Sequence, residues 1–195
     1  MNTEEELELI KKIKKDPDYI QHIKNPTEEM KLAAVNKNGY AIQYIKNPSE
    51  NVQLAAVKQN GVAIQFIKNP SEEVQLAAVK QYGCAVNLIK NPSEKVQLAA
   101  VNKNGLSLQF IDSPSEKVQM EAIKENGLAI KYIKNPSEEM KLVAVKQDGY
   151  AIQCIKNPSE EVIRTAISNG AEKEDLKHVD ISDLSDETRL MIELL

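Results

Sequence analysis

A period of 22 residues governs this chain. The stretch over 69–90, N-P-S-E-E-V-Q-L-A-A-V-K-Q-Y-G-C-A-V-N-L-I-K, recurs over 25–46, 47–68, 91–112, 113–134 and 135–156, and another copy begins at Asn157. Pro26, Pro48, Pro70, Pro92, Pro114, Pro136 and Pro158 mark one register, and Gly39, Gly61, Gly83, Gly105, Gly127 and Gly149 mark a second. A fixed period of a few tens of residues is the signature of stacked repeats. One such unit is too small to bury its own apolar face, so its neighbours must supply the rest of the core.

Within each copy the pattern predicts two helices. In the copy over 69–90, Asn69 is read as N-cap, Pro70 as the first helical residue and Glu72 as the partner in a capping box. A cap at Ser71 is the alternative and moves the boundary by two residues. Val74, Leu76, Ala77, Ala78 and Val79 form a broad apolar stripe that runs to Gln81. Gly83 is expected to stop this helix in the left-handed conformation. A second helix of about two turns, over 85–90, then completes a hairpin that is too short to stand alone. The predicted fold class is all-α: an α-solenoid of helical hairpins, of either hand. It forms one domain over 1–195, with a cap repeat over 1–24, six full repeats over 25–156, and a degenerate repeat with an acidic cap over 157–195.

The ends carry information of their own. Residues 3–24 read as a disguised copy, with Thr3 as cap and Glu6 completing a T-x-x-E box. Ile10, Ile13, Ile20 and Ile23 keep apolar positions, yet Glu8, Lys11 and Lys12 stand where Met30, Ala33 and Ala34 stand one period later. A terminal repeat has no preceding neighbour, so the Val/Met-x-x-Ala-Ala face is expected to pack against the repeat before it. Past Pro158 the pattern decays: Arg164 replaces the usual leucine, Gly170 comes one residue early, and Ser185 is the expected cap of a closing helix. From Glu172 onward there are eight acids against three bases, which reads as a solvated cap.

Composition restricts function. Lys and Arg total 25 against 29 Asp and Glu, a net charge of −4, which argues against general attraction to nucleic acid. Cys84 and Cys154 lie three repeats apart, beyond disulfide reach in a linear stack, and reduced thiols suit the cytoplasm. The acidic N-terminus does not resemble a signal peptide, and no apolar run is long enough to span a bilayer. His22 and His178 fall in opposite caps, no metal-ligand spacing occurs, and the glycines are single. No catalytic residue, cofactor or metal is expected.

Two columns of residues remain. Lys24, Lys46, Lys68, Lys90, Lys134 and Lys156 end successive short helices, and Asp112 breaks the series. They offer either favourable charge at a helix C-terminus or an alternative phosphate-binding ladder. In the second column, Ala41, Ile42 and Ile45 are assigned to the core, which leaves Tyr40, Gln43 and Tyr44 outside. The equivalent positions hold Gln65 and Phe66; Asn87 and Leu88; Gln109 and Phe110; Lys131 and Tyr132; and Tyr150 and Gln153. These positions vary while the framework does not, as a partner-binding surface would. Aromatic rings with amides between them suit that role, although the rings equally suit packing between short helices.

The segment A-V-K-Q-N-G-V-A-I-Q at 56–65 resembles short helical repeats known as a domain of unknown function, with an A-V-x-x-N-G-x-A-L signature followed by an aromatic. The resemblance spans about residues 25–170. More broadly the chain is similar to HEAT-type α-solenoids, which mostly bind proteins, with a minority binding nucleic acid. It implies no activity by itself. The expected function is that of a non-enzymatic scaffold for a protein or peptide. The alternatives are a nucleic-acid binder using the lysines, or a phage-type inhibitor that occupies a groove of a host protein.

Overall fold

The computed structural model describes residues 3–195. The protein is an all-α solenoid in which a long α-helix and a short 3₁₀ helix alternate at the sequence period, with successive pairs packed on each other within each of two units. The chain divides into two compact units, Met1–Lys103 and Asn104–Leu195.

In the first unit the long helices are α1 (Thr3–Lys15), α2 (Glu28–Lys37), α3 (Glu50–Gln59), α4 (Glu72–Gln81) and α5 (Glu94–Lys103). The short 3₁₀ helices Pro17–His22, Gly39–Tyr44, Gly61–Phe66 and Gly83–Leu88 lie between them. Each long helix packs on the next, and so does each short one, which gives two rows with the core between. Ile13, Met30, Ala34, Val35, Val52, Ala56, Val57, Val74, Ala78 and Val79 are fully buried there. Each burial of a large apolar side chain contributes about 1.5–3 kcal/mol, the driving force that helices this short lack on their own. On α1, Glu8, Lys11 and Lys12 are exposed. Thr3 is itself helical, so the expected T-x-x-E cap is not there.

In the second unit, the 3₁₀ helices Gly105–Phe110, Gly127–Tyr132, Gly149–Cys154 and Lys173–Leu176 alternate with α6 (Glu116–Glu125), α7 (Glu138–Gln147), α8 (Glu160–Ser168) and α9 (Asp186–Glu193). Ser185 caps α9 as expected, its hydroxyl accepting from Thr188 N–H at 3.3 Å. Arg164, the residue that replaces the usual leucine, ties α8 to α9 through two bonds to Glu187, at 2.8 and 3.1 Å.

Three local expectations are corrected. The long helix is capped by Ser71, whose hydroxyl accepts from Val74 N–H at 3.3 Å, and not by Asn69. Asn69 instead takes a left-handed conformation (φ 51°) ahead of Pro70, as Asn47, Asn91, Ser113 and Asn157 do in their copies. A short polar side chain tolerates that region better than a bulky one. Asparagine thus forms the corner and serine the cap, and Asn69 is not the N-cap partner of Glu72.

The register glycines are not left-handed caps either, since Gly170 is the only described glycine with positive φ. At Gly61 an added Cβ would lie 2.5 Å from the Ala78 carbonyl oxygen of the next repeat. Glycine is there for close approach. The same contact places the second alanine of a long helix against the preceding repeat's short helix, the side on which the Ala-Ala face was expected to pack. Within that pair, Ala78 is fully buried, whereas Ala77 is only half-buried.

The third correction concerns the second helix. In the reference copy it spans Gly83–Leu88 and is 3₁₀. Its first bond runs from Ala85 N–H to Tyr82 O at 2.8 Å, and its last from Ile89 N–H to Val86 O at 3.1 Å. In four other copies an asparagine caps this helix, for example Asn60, which accepts from Val62 N–H at 3.0 Å.

Candidate functional site

Three residues per turn decide which side chains the short helices expose. In Gly39–Tyr44, Gly39 and Ile42 share one line with Ile45, and all three are buried. Tyr40 and Gln43 share a second line and point outward, Tyr40 half-buried and Gln43 exposed. Tyr44 falls on the third line, with the fully buried Ala41. An α-helical face would have joined Tyr40, Gln43 and Tyr44. The tighter helix instead sets the sixth residue of the short helix at the core margin and leaves the fifth exposed.

In the first unit this margin carries Tyr44, Phe66 and Leu88, at 36%, 40% and 39% exposure, with one flank of each packed and the other open. Tyr40 and Phe66 meet edge to face, ring centroids 5.9 Å apart, which links one short helix to the next. Gln65 turns its amide back to Val62 O at 3.2 Å, while Gln43 and Asn87 stand exposed. In the second unit Phe110 and Tyr132 occupy the same margin, and Cys154 takes the place of a ring. Gln109 bonds Leu106 O at 3.0 Å, and Gln153 donates to Asp175. The Lys131 ammonium lies 4.8 Å from the centre of the Tyr132 ring, a cation–π contact. Tyr150 is exposed.

The predicted site residues therefore fall into two classes. The rings are half-sunk and cannot reorient freely, which suits them as rigid anchors. Most of the amides are outward, and two of them are occupied by bonds within their own helix. Tyr82 escapes notice in the sequence because it stands in the cap column that is otherwise asparagine or aspartate. It is exposed, makes no side-chain cap bond and adds another ring to the first unit's surface. Its hydroxyl titrates above its usual range because of a hydrogen bond with Cys84. Burial raises the Cys154 thiol as well, against the opposing pull of Lys131, so it stays protonated and is a poor nucleophile.

The lysines lie beyond the short helices, not within them. Gly39–Tyr44 ends before Lys46, and Lys68 and Lys90 in the first unit are placed alike, as are Lys134 and Lys156 in the second. All five are exposed. They sit in the corner between a short helix and the next Asn-Pro, and Lys46, for example, directly follows the C-cap residue Ile45.

Among the described residues no group of His, Cys, Asp and Glu is arranged to hold a metal ion, and no helix is long and apolar enough to cross a membrane. Comparison of the chain with protein families, with curated proteins and with solved structures found no match.

Proposed function

We propose that this protein is a non-enzymatic binding module that presents the margin of its short 3₁₀ helices to a protein or peptide partner. The observation that carries this reading is the column Tyr44, Phe66, Leu88, with Phe110 and Tyr132 in the second unit, each more than a third exposed on an otherwise repeated framework. Half-sunk aromatic side chains contribute large contact area at little entropic cost, the property that makes Tyr and Phe anchors at interfaces. The resemblance to HEAT-type repeats supports the same class of function by analogy.

The test is capture of partners from a native lysate by the intact chain, with and without nuclease, followed by affinity measurement on purified variants. Tyr44→Ala with Phe66→Ala should weaken a nuclease-resistant partner roughly tenfold or more while leaving the helical spectrum intact. Lys46→Gln, Lys68→Gln and Lys90→Gln together should change it little. The reverse pattern, with partners that vanish on nuclease treatment, would replace this reading with nucleic-acid binding along the lysines. A single host enzyme blocked by the bound chain would mark it as an inhibitor.

A further inference from the structure

Two long helices depart from the repeat in the same way. Where α3, α4, α5 and α6 carry a valine followed by glutamine, α2 and α7 read E-E-M-K-L, with Lys31 and Lys141 in place of the glutamine. Gln53, Gln75, Gln97 and Gln119 each fold back and donate their amide to a proline carbonyl five residues earlier, at 2.9–3.0 Å. They lie across the Asn-Pro corner. At both lysine positions the corner is instead an open pocket.

In the first unit the pocket is about 460 Å³ and is lined by Gln21, Lys24, Asn25, Lys31, Tyr44 and Lys46. In the second it is about 500 Å³ and includes Lys131, Lys134, Asn135, Lys141, Cys154 and Lys156. The first thus has three lysines in its lining, two from successive corners beyond the short helices and one from the long helix between them. None of Lys24, Lys31 and Lys46 forms an ion pair among the described residues. The second has four, and only Lys141 is offset, by Glu138 at 3.3 Å. Like charges drawn together around one cavity repel each other, and an anion inside it relieves that repulsion.

The third corner of this kind is a built-in contrast. At Asn157-Pro158 the position of Lys31 and Lys141 is Ile163, and the cavity is lined by Glu160, Asp180 and Asp183 beside His178. The fold tolerates either sign of charge there, so the basic lining of the other two is not a requirement of the architecture.

We infer that the Lys24–Lys31–Lys46 pocket and the Lys131–Lys134–Lys141–Lys156 pocket are two separate anion sites that seat the carboxylates of an acidic peptide segment. Each cavity has room for one or two acidic side chains, with Asn25 or Asn135 beside the lysines as an amide donor. Discrete pockets on a chain of net charge −4 favour such a segment over a continuous polyanion. These sites stand whether or not the aromatic margin proves to bind a partner.

The intact chain, isotope-labelled for NMR, should be titrated at low ionic strength with a short polyglutamate peptide and, separately, with a single-stranded oligonucleotide of equal charge. Lys31→Gln and Lys141→Gln restore the residue that four other repeats already use, so both variants keep the fold. Polyglutamate should shift resonances around 20–46 and 131–156. Lys31→Gln should erase the first set only and Lys141→Gln the second only, each weakening its site by about fivefold. Lys80→Gln, an exposed lysine outside both pockets, should change nothing. Equal weakening by Lys80→Gln, or equal shifts around the acidic corner at 157–184, would reduce the effect to diffuse charge and overturn the assignment. Tighter oligonucleotide binding at the same residues would assign the pockets to nucleic acid instead.

Discussion

Gly61 has no space for a side chain, because the Ala78 carbonyl oxygen and the Gln81 amide oxygen lie 2.5 and 2.8 Å from where a Cβ would sit. The nearer of these is backbone and cannot swing aside. Gly61→Ala should therefore push two repeats apart and cost about 1–3 kcal/mol in chemical denaturation, with no change at φ to account for it. A cost near zero would mean that the short helix slides without penalty. Ser113 is the opposite case. It is held at φ 48°, where the other left-handed corners, Asn47, Asn69, Asn91 and Asn157, use asparagine. Ser113→Asn should raise stability by about 0.5–1 kcal/mol, read as a higher denaturation midpoint with unchanged slope. The special role of both residues was legible in the sequence, yet its physical cause was not. An invariant spacing of glycine fits a helix stop as well as a close approach, and only the position of Ala78 in the next repeat separates the two. In the same way Asn-Pro at a helix start reads as cap and first residue until the backbone shows the asparagine turning the corner.

At the scale of the helix, the serine caps do two things at once. Each accepts a backbone N–H from its own helix, and several donate the hydroxyl to a first-turn glutamate of the preceding repeat: Ser71 to Glu50 at 2.5 Å, Ser93 to Glu72 at 2.6 Å, and Ser49 to Glu28, Ser159 to Glu138 and Ser185 to Glu160. These bonds hold Glu72, Glu138 and Glu160 below the ordinary carboxylate range, with the serine hydroxyl the largest cause in each case. A carboxyl whose folded value lies below its unfolded value, near 4.3, stabilises the fold in full above that value. Its contribution disappears as pH falls through the folded value. The melting temperature should accordingly drop between about pH 5 and pH 3, and Glu72→Gln with Glu138→Gln and Glu160→Gln should flatten that slope. An unchanged slope would mean that the links between repeats are electrostatically silent. Separately, Ser93→Ala should cost about 1 kcal/mol at neutral pH through loss of the cap alone. The long helices and their apolar stripes were legible because 3.6-residue periodicity needs only a dozen residues to show itself. The short helices were legible as helices but not as 3₁₀, since six residues hold too little periodicity to tell three residues per turn from 3.6. That difference moved Tyr44 from an outer face to the margin of the core. The lysine pockets lay further still from view, because Lys24, Lys31 and Lys46 converge only when two repeats are stacked.

On the scale of the whole chain, a stack of like units owes its stability to each unit and its immediate neighbours. The unit Asn104–Leu195 ends on α9, and two different kinds of contact attach it. One is apolar and buried, with Ile192 sunk beside the core that contains Val162, Ile163 and Leu176. The other is polar: the Arg164–Glu187 pair, whose partners are 41% and 69% exposed, together with Ser185 and Thr188 on Glu160. An exposed ion pair is worth at most about 1 kcal/mol in water, whereas truncating a buried isoleucine costs about 2 kcal/mol or more. Ile192→Ala should therefore release α9 more readily than Arg164→Ala, although the arginine makes two hydrogen bonds to α9 and the isoleucine side chain can make none. Hydrogen exchange resolved by helix distinguishes the routes. In Ile192→Ala, protection should fall most in α9 and α8, less in α7 and least in α6, since each helix is supported by its neighbours and loses support in turn. Equal loss across α6, α7, α8 and α9 would show instead that this unit opens all at once, and that its repeats share one cooperative transition in spite of their linear packing.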